Sequence, residues 1–121
     1  MNDTHRIVND YIALWNETDP ARRALLLVEG WSEDATHVDP LMSGEGHARI
    51  GALIGAIHER FPGFRFAPHG RVDGYGDKLR FSWALGPADQ PGMIKGTDFA
   101  VVEAGRLKSV TGFLDQVPAD A

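Results

Sequence analysis

Apolar positions recur at helical spacing in the first half of the chain and at strand spacing in the second, an order that predicts an α+β fold rather than alternating α/β units. Ile7, Val8, Tyr11, Ile12, Leu14 and Trp15 form one stripe, with Asn9, Asp10 and Asn16 opposite, so a first helix is expected to end near Glu17 and Thr18. Asp19-Pro20 marks the start of a second helix, because an Asp oxygen can accept from the first free amides and Pro tolerates the first helical position. Leu25, Leu26, Val28 and Trp31 are the residues expected on its buried side. Ala35 to Asp39 alternates weakly and is cut by Pro40, which reads as a short strand whose last residue carries a carboxylate. Leu41 to Gly46 reads as a loop. His47 opens a third helix with Ile50, Leu53, Ile54, Ile57 and Phe61 on one face and Pro62-Gly63 as its stop.

Four strand candidates follow. Phe64 to Val72 contains Pro68, which places it at an edge or a bulge. The turn at Asp73 to Asp77 leads to Leu79, Phe81, Trp83 and Leu85, which alternate with Lys78, Arg80 and Ser82. Met93 to Val102 is apolar on both faces, and Glu103-Ala104-Gly105-Arg106 turns it into Leu107 to Leu114. A strand with two apolar faces needs cover on both, one side from helices and the other from a second copy of the chain. Parity on these strands places Ile94, Gly96, Asp98, Ala100 and Val102 inward, together with Val110, Gly112 and Leu114, and places Phe99 and Phe113 outward. Val117 to Ala121 reads as a frayed tail.

A length of 121 residues bounds the chain to one domain, 1–121, with its core at about 4–115. The net charge of −5 and the lack of any Lys/Arg block argue against nucleic acid or an anionic membrane as partner. The chain has no Cys, which removes disulfides, thiolate nucleophiles and zinc-thiolate sites. No signal-like N-terminus and no membrane-length apolar run is present, so the expected location is cytoplasmic. The histidines have no metal-ligand spacing such as His-x-x-x-His, and no metal or cofactor is expected.

Three residues carry the candidate chemistry. Tyr11 lies on the apolar stripe of the first helix, Asp39 ends the short strand, and Asp98 sits inside an apolar strand. An isolated carboxylate is seldom buried without a partner or a raised pKa, so Asp98 is expected to be neutral at neutral pH or hydrogen-bonded to Tyr11 or His58. Each residue also has a structural reading: Tyr11 as a core aromatic, Asp39 as a turn cap, Asp98 as a satisfied buried acid. Trp15, Trp31, His58, Phe61, Phe81, Trp83, Val110 and Leu114 are the candidate pocket wall.

The order of elements, with Trp15 to Asp19, Val38 to Leu41, Gly96-Thr97-Asp98 and Gly105 to Asp115, resembles the NTF2-like superfamily, which includes SnoaL-like polyketide cyclases and ketosteroid isomerases. The resemblance spans about Thr4 to Asp115. It implies a cone of three N-terminal helices on a strongly curved, mainly antiparallel sheet, a small-molecule ligand in an apolar pocket, and a homodimer formed through the outer sheet face. At three positions the chain is similar to ketosteroid isomerase: Asp39 resembles its general base, and Tyr11 and Asp98 its two donors to an enolate oxygen. The physical logic is that a base removes a proton beside a carbonyl while a phenol and a neutral carboxylic acid stabilise the resulting oxyanion.

The chain also departs from these relatives. Its loop between Asp39 and Gly46 is shorter than in the isomerases, and His37, His58 and His69 have no counterpart there. A limonene-type epoxide hydrolase would need an Arg at Gly96 and an inward acid at Gly112 or Leu114, which disfavours that mechanism. The resemblance therefore implies a cofactor-independent isomerase or a cyclase, in which Asp98 alone could serve as the acid-base group. The alternative is a non-catalytic ligand-binding domain, because this fold hosts many functions.

Overall fold

The computed structural model describes residues 3–118. Its elements are α1 (Asp3–Asn16), α2 (Pro20–Gly30), β1 (Trp31–Val38), β2 (Ser43–Glu45), α3 (His47–Arg60), β3 (Arg65–Tyr75), β4 (Lys78–Gly86), β5 (Ile94–Glu103) and β6 (Arg106–Gln116). The six strands form one curved sheet in the order β2-β1-β6-β5-β4-β3, with every neighbouring pair antiparallel except β1 and β6. Helices on one side and a curved sheet on the other give the α+β cone expected from the sequence.

Local chemistry sets the helix ends. The Asp19 side chain accepts from the Ala21 amide at 3.1 Å and Pro20 occupies the first helical position, so α2 starts where the sequence placed it. Helix α3 has no side-chain cap. Its N-cap is Gly46, held at φ 86°, and the Gly46 amide is tied to the Ala35 carbonyl of β1 at 2.8 Å. The β5–β6 hairpin turns through Ala104 and Gly105, both with positive φ, which suits the right-handed twist of the flanking strands.

The core lies between the helices and the inner sheet face, and Val8, Leu14, Leu27, Ile50, Ile54, Phe81 and Val110 are fully buried in it. Burial of side chains of this size stabilises the fold by roughly 1.5–3 kcal/mol each. Strand parity is as expected: Ile94, Gly96, Asp98 and Ala100 of β5 and Val110 and Gly112 of β6 are buried, while Phe99 and Phe113 are exposed.

Four elements differ from the reading of the sequence, one of them β3, which runs on through Tyr75 by pairing with β4 where a turn from Asp73 was expected. Leu25 and Val28 are 63 % and 57 % exposed, and α2 instead buries Arg23 and Leu27. A run of four apolar residues does not reveal which of them a helix will bury, and Arg23 is held down through its Nη1, which donates to the Glu17 carbonyl at 2.9 Å. Trp31 belongs to β1, which begins four residues earlier than expected because Trp31 pairs with Leu107 of β6. Ser43 to Glu45 form β2 where a loop was expected, again through pairing with β1. Both extensions depend on partners distant in sequence. The start of the expected tail, Val117 and Pro118, continues from β6 against the cavity described below, and residues 119–121 lie outside the described residues.

Candidate active site

The Tyr11 hydroxyl, carried by α1, donates to Asp98 Oδ2 on β5 at 2.6 Å, and both residues are almost fully buried. Three aromatic neighbours fix the phenol: Phe81 meets it edge-on at 4.9 Å, Trp31 stacks at 5.9 Å and Trp15 lies tilted at 6.0 Å. Burial pushes the Asp98 carboxyl above its ordinary range, and the negative charge of Asp39 adds to this, against the hydrogen bonds of Tyr11 and Trp83 and the nearness of His37. Burial and the carboxyl beside it raise Tyr11 well above the usual phenol value, so it remains a neutral donor.

Asp39 lies just beyond the end of β1. Its Oδ1 accepts from the backbone amides of Leu41 at 2.8 Å and Met42 at 3.0 Å, and its Oδ2 is 2.9 Å from His37 Nε2. Half-burial pushes its pKa up, but these hydrogen bonds outweigh that and hold it below the ordinary carboxylate range. The two acids are thus pushed apart, one toward the neutral form and one toward the ionised form.

Two glycines make the close packing possible. A Cβ at Gly112 would sit 2.7 Å from Asp98 Oδ1 and 3.2 Å from Asp39 Cβ, so both acidic side chains converge over the bare α-carbon of β6. Gly96 serves Trp83 in the same way: the indole lies across it, and a Cβ there would come within 2.3 Å of the ring.

Tyr11, Asp39 and Asp98 line one mainly apolar cavity of about 450 Å³. Its wall includes Trp15, His37, Phe61, Phe66, Trp83 and Leu114, and Arg60 at the end of α3 is its one Lys or Arg among the described residues. Among the described residues no group of three or more His, Asp or Glu is arranged to hold a metal ion, and no helix is long and apolar enough to cross a membrane.

A model of the SnoaL-like domain matches residues 8–110. The chain belongs to the SnoaL-like family. A crystal structure from Agrobacterium tumefaciens, of a protein of the SnoaL-like family with an ascribed isomerase role, is 43 % identical and superposes with a TM-score of 0.90 over 95 % of this chain and 99 % of that one. More distant structures share the fold alone. One from Kribbella flavida, ascribed to the ketosteroid isomerases, has 19 % identity and a TM-score of 0.70 over 95 % of this chain and 79 % of that one. Another from Jannaschia, ascribed to the SnoaL-like polyketide cyclases, has 15 % identity and a TM-score of 0.70 over 95 % and 89 %. No match is found among curated proteins.

Within this SnoaL-like domain the three candidate catalytic residues come together, as do Trp15, Phe61, Trp83 and Leu114 of the expected wall. Trp31, His58, Phe81 and Val110 do not line the cavity. Phe81 and Val110 are fully buried in the core, Trp31 packs against Tyr11 from the far side, and His58 Nε2 bonds the Trp15 carbonyl at 2.8 Å, fastening α3 to α1. Sequence reasoning missed His37, Met42, Arg60, Phe66 and Gly112 as wall residues. His37 had one legible signal, since it lies two residues before Asp39 and shares its strand face. Of the others, Arg60 comes from the end of α3, Met42 from the turn after β1 and Gly112 from β6, and Phe66 is held by Asn16, which exchanges two hydrogen bonds with its backbone, at 2.9 and 2.8 Å.

Proposed function

We propose that this SnoaL-like protein is a cofactor-independent acid-base enzyme that isomerises or cyclises a small, largely apolar carbonyl compound in the cavity. The observation that carries this reading is the Tyr11–Asp98 pair at 2.6 Å beside Asp39, across the bare face of Gly112. The ionised Asp39 removes a proton from the carbon next to the carbonyl, and the electron pair moves onto the carbonyl oxygen. The Tyr11 hydroxyl turns its proton from Asp98 Oδ2 to that oxygen and Asp98, in its protonated form, donates to it as well, and because their oxygens are neighbours one acceptor can reach both. Asp39 then returns its proton at another carbon in an isomerisation, or the enolate carbon attacks a second carbonyl in a ring closure and the alkoxide that forms takes the proton back from Asp39.

The opposed pKa shifts support this division of labour, because paired titratable groups pushed apart are the usual pattern of an assigned acid and base. The cavity volume falls within the range of small-molecule sites. A second reading, a ligand-binding domain without turnover, draws on the bonds from Leu41 and Met42 that make Asp39 also a turn cap. Hydrogen-deuterium exchange at the α-carbon of a panel of cyclic enones and steroids, followed by NMR, separates the two. Wild type should exceed Asp39→Asn on at least one compound, and equal background rates across the panel would favour binding without turnover. We also infer that two copies pair through the outer sheet face, where exposed Phe99 and Phe113 form an edge-on aromatic pair at 5.7 Å.

A further inference from the structure

One buried polar residue of the wall that the proposed reaction does not use is His37. It is 2 % exposed, it lines the cavity, and its ring packs against Trp15 at 5.1 Å. An ionised carboxylate can only accept, so the 2.9 Å contact with Asp39 Oδ2 puts the proton on His37 Nε2. The other ring nitrogen, Nδ1, is buried and has no hydrogen-bond partner in the described structure. A buried acceptor left unpaired is a cost, and one reason to tolerate it is that the opposite nitrogen is needed where it is.

Lone pairs on Asp39 sharpen this. A carboxylate offers about four in-plane acceptor sites, two on each oxygen. On Oδ1 both are taken, by the Leu41 and Met42 amides, and on Oδ2 one is taken by His37. The remaining site is on Oδ2, the oxygen that His37 holds. We propose that His37 is a positioning residue for the catalytic base: its Nε2–H fixes the Asp39 carboxylate so that Oδ2 is the oxygen that takes the substrate proton. This rests on the proposed acid-base reading of the cavity.

The proton balance is simple. A carbon–hydrogen bond of the substrate breaks, an Oδ2–H bond forms, and the electron pair stays with the enolate. Oδ2 keeps a lone pair for His37 throughout, but a neutral acid accepts more weakly than a carboxylate, so the Nε2–H bond favours giving the proton back. The other charged or titratable groups on the cavity wall are Tyr11 on α1, Asp98 on β5 and Arg60 on α3.

The test compares His37→Phe, which keeps a ring and loses the donor, with His37→Gln, which restores an N–H. Both are first checked for folding by urea titration. In protein labelled with carbon-13 at Asp carboxyls, the Asp39 signal should titrate at higher pH in His37→Phe and move back toward wild type in His37→Gln. On a compound active in the exchange assay, kcat/KM should fall roughly 10- to 100-fold in His37→Phe, the loss expected of a misplaced catalytic group. Its acid limb should shift in the same direction as the NMR signal, with partial recovery in His37→Gln. An Asp39 titration identical in all three proteins, or one moved by His37→Phe and not recovered by His37→Gln, would overturn the proposal. The NMR experiment needs no substrate, so it separates failure of the His37 assignment from failure of the enzyme reading.

Discussion

Replacing Gly112 with Ala adds one methyl at the point where the two acids converge. That methyl would stand 2.7 Å from Asp98 Oδ1, where ordinary contact begins at 3.4 Å, and 3.2 Å from Asp39 Cβ. The Asp98 carboxyl must therefore withdraw by about 0.7 Å, the shortfall between those two distances. Its room to do so is small, because Tyr11 holds Oδ2 at 2.6 Å and the residue is 2 % exposed. Overpacking typically costs about 1–3 kcal/mol, and loosening a buried hydrogen bond to a carboxyl adds up to about the same again. The expected total is a loss of about 2–4 kcal/mol in urea unfolding, a large share of a small domain's stability. The same change should disturb the Tyr11 ring signals in NMR spectra and reduce α-carbon exchange, since both donors move off their common point. A Gly112→Ala protein within 0.5 kcal/mol of wild type, with Tyr11 signals unmoved, would refute the claim that this glycine makes room for the site.

Three further outcomes are expected. Burial raises Asp98 above its ordinary value of 3.8, so the folded protein keeps a proton that the unfolded chain releases; wild type should therefore lose stability relative to Asp98→Asn as pH climbs from that value toward the raised one. Paired urea titrations between pH 3 and 8 measure this, and a wild-type advantage that grows with pH would contradict the sign. Asn16→Ala removes both bonds to the Phe66 backbone and should cost roughly 1–3 kcal/mol in urea unfolding, with a change in fluorescence from neighbouring Trp15 and Trp83; unaltered stability would show that this link holds nothing. Sedimentation should find a dimer at micromolar concentration that Phe99→Glu disperses, and a stable wild-type monomer would remove the proposed pairing.

The sequence by itself determined the three helices and five of the six strands, because helical and alternating periodicities depend only on neighbours in the chain, whereas β2 exists only through its pairing with β1. It also marked the start of α2 at Asp19-Pro20 and the inward parity of Asp98, each a local matter of capping or pleat. Asp98 stood out as chemistry because a lone acid in an apolar strand conflicts with its surroundings, and the structure resolves that conflict through Tyr11, 87 residues away. Tertiary structure alone decided which aromatics face the cavity and which fill the core: Trp83 lies over the gap left by Gly96, while Phe81, two residues earlier on the same strand and the same face, packs beneath Tyr11. Sheet curvature decides that, and curvature has no period. The cap that Asp39 gives the turn at Leu41 and Met42 was legible locally, while the hold of His37 on its second oxygen was shown only by the structure. The family resemblance made Asp39 a candidate base, but its hydrogen bonds determine which oxygen keeps a free lone pair, and those bonds need the end of β1 and the turn at Leu41 and Met42 to be held in place together.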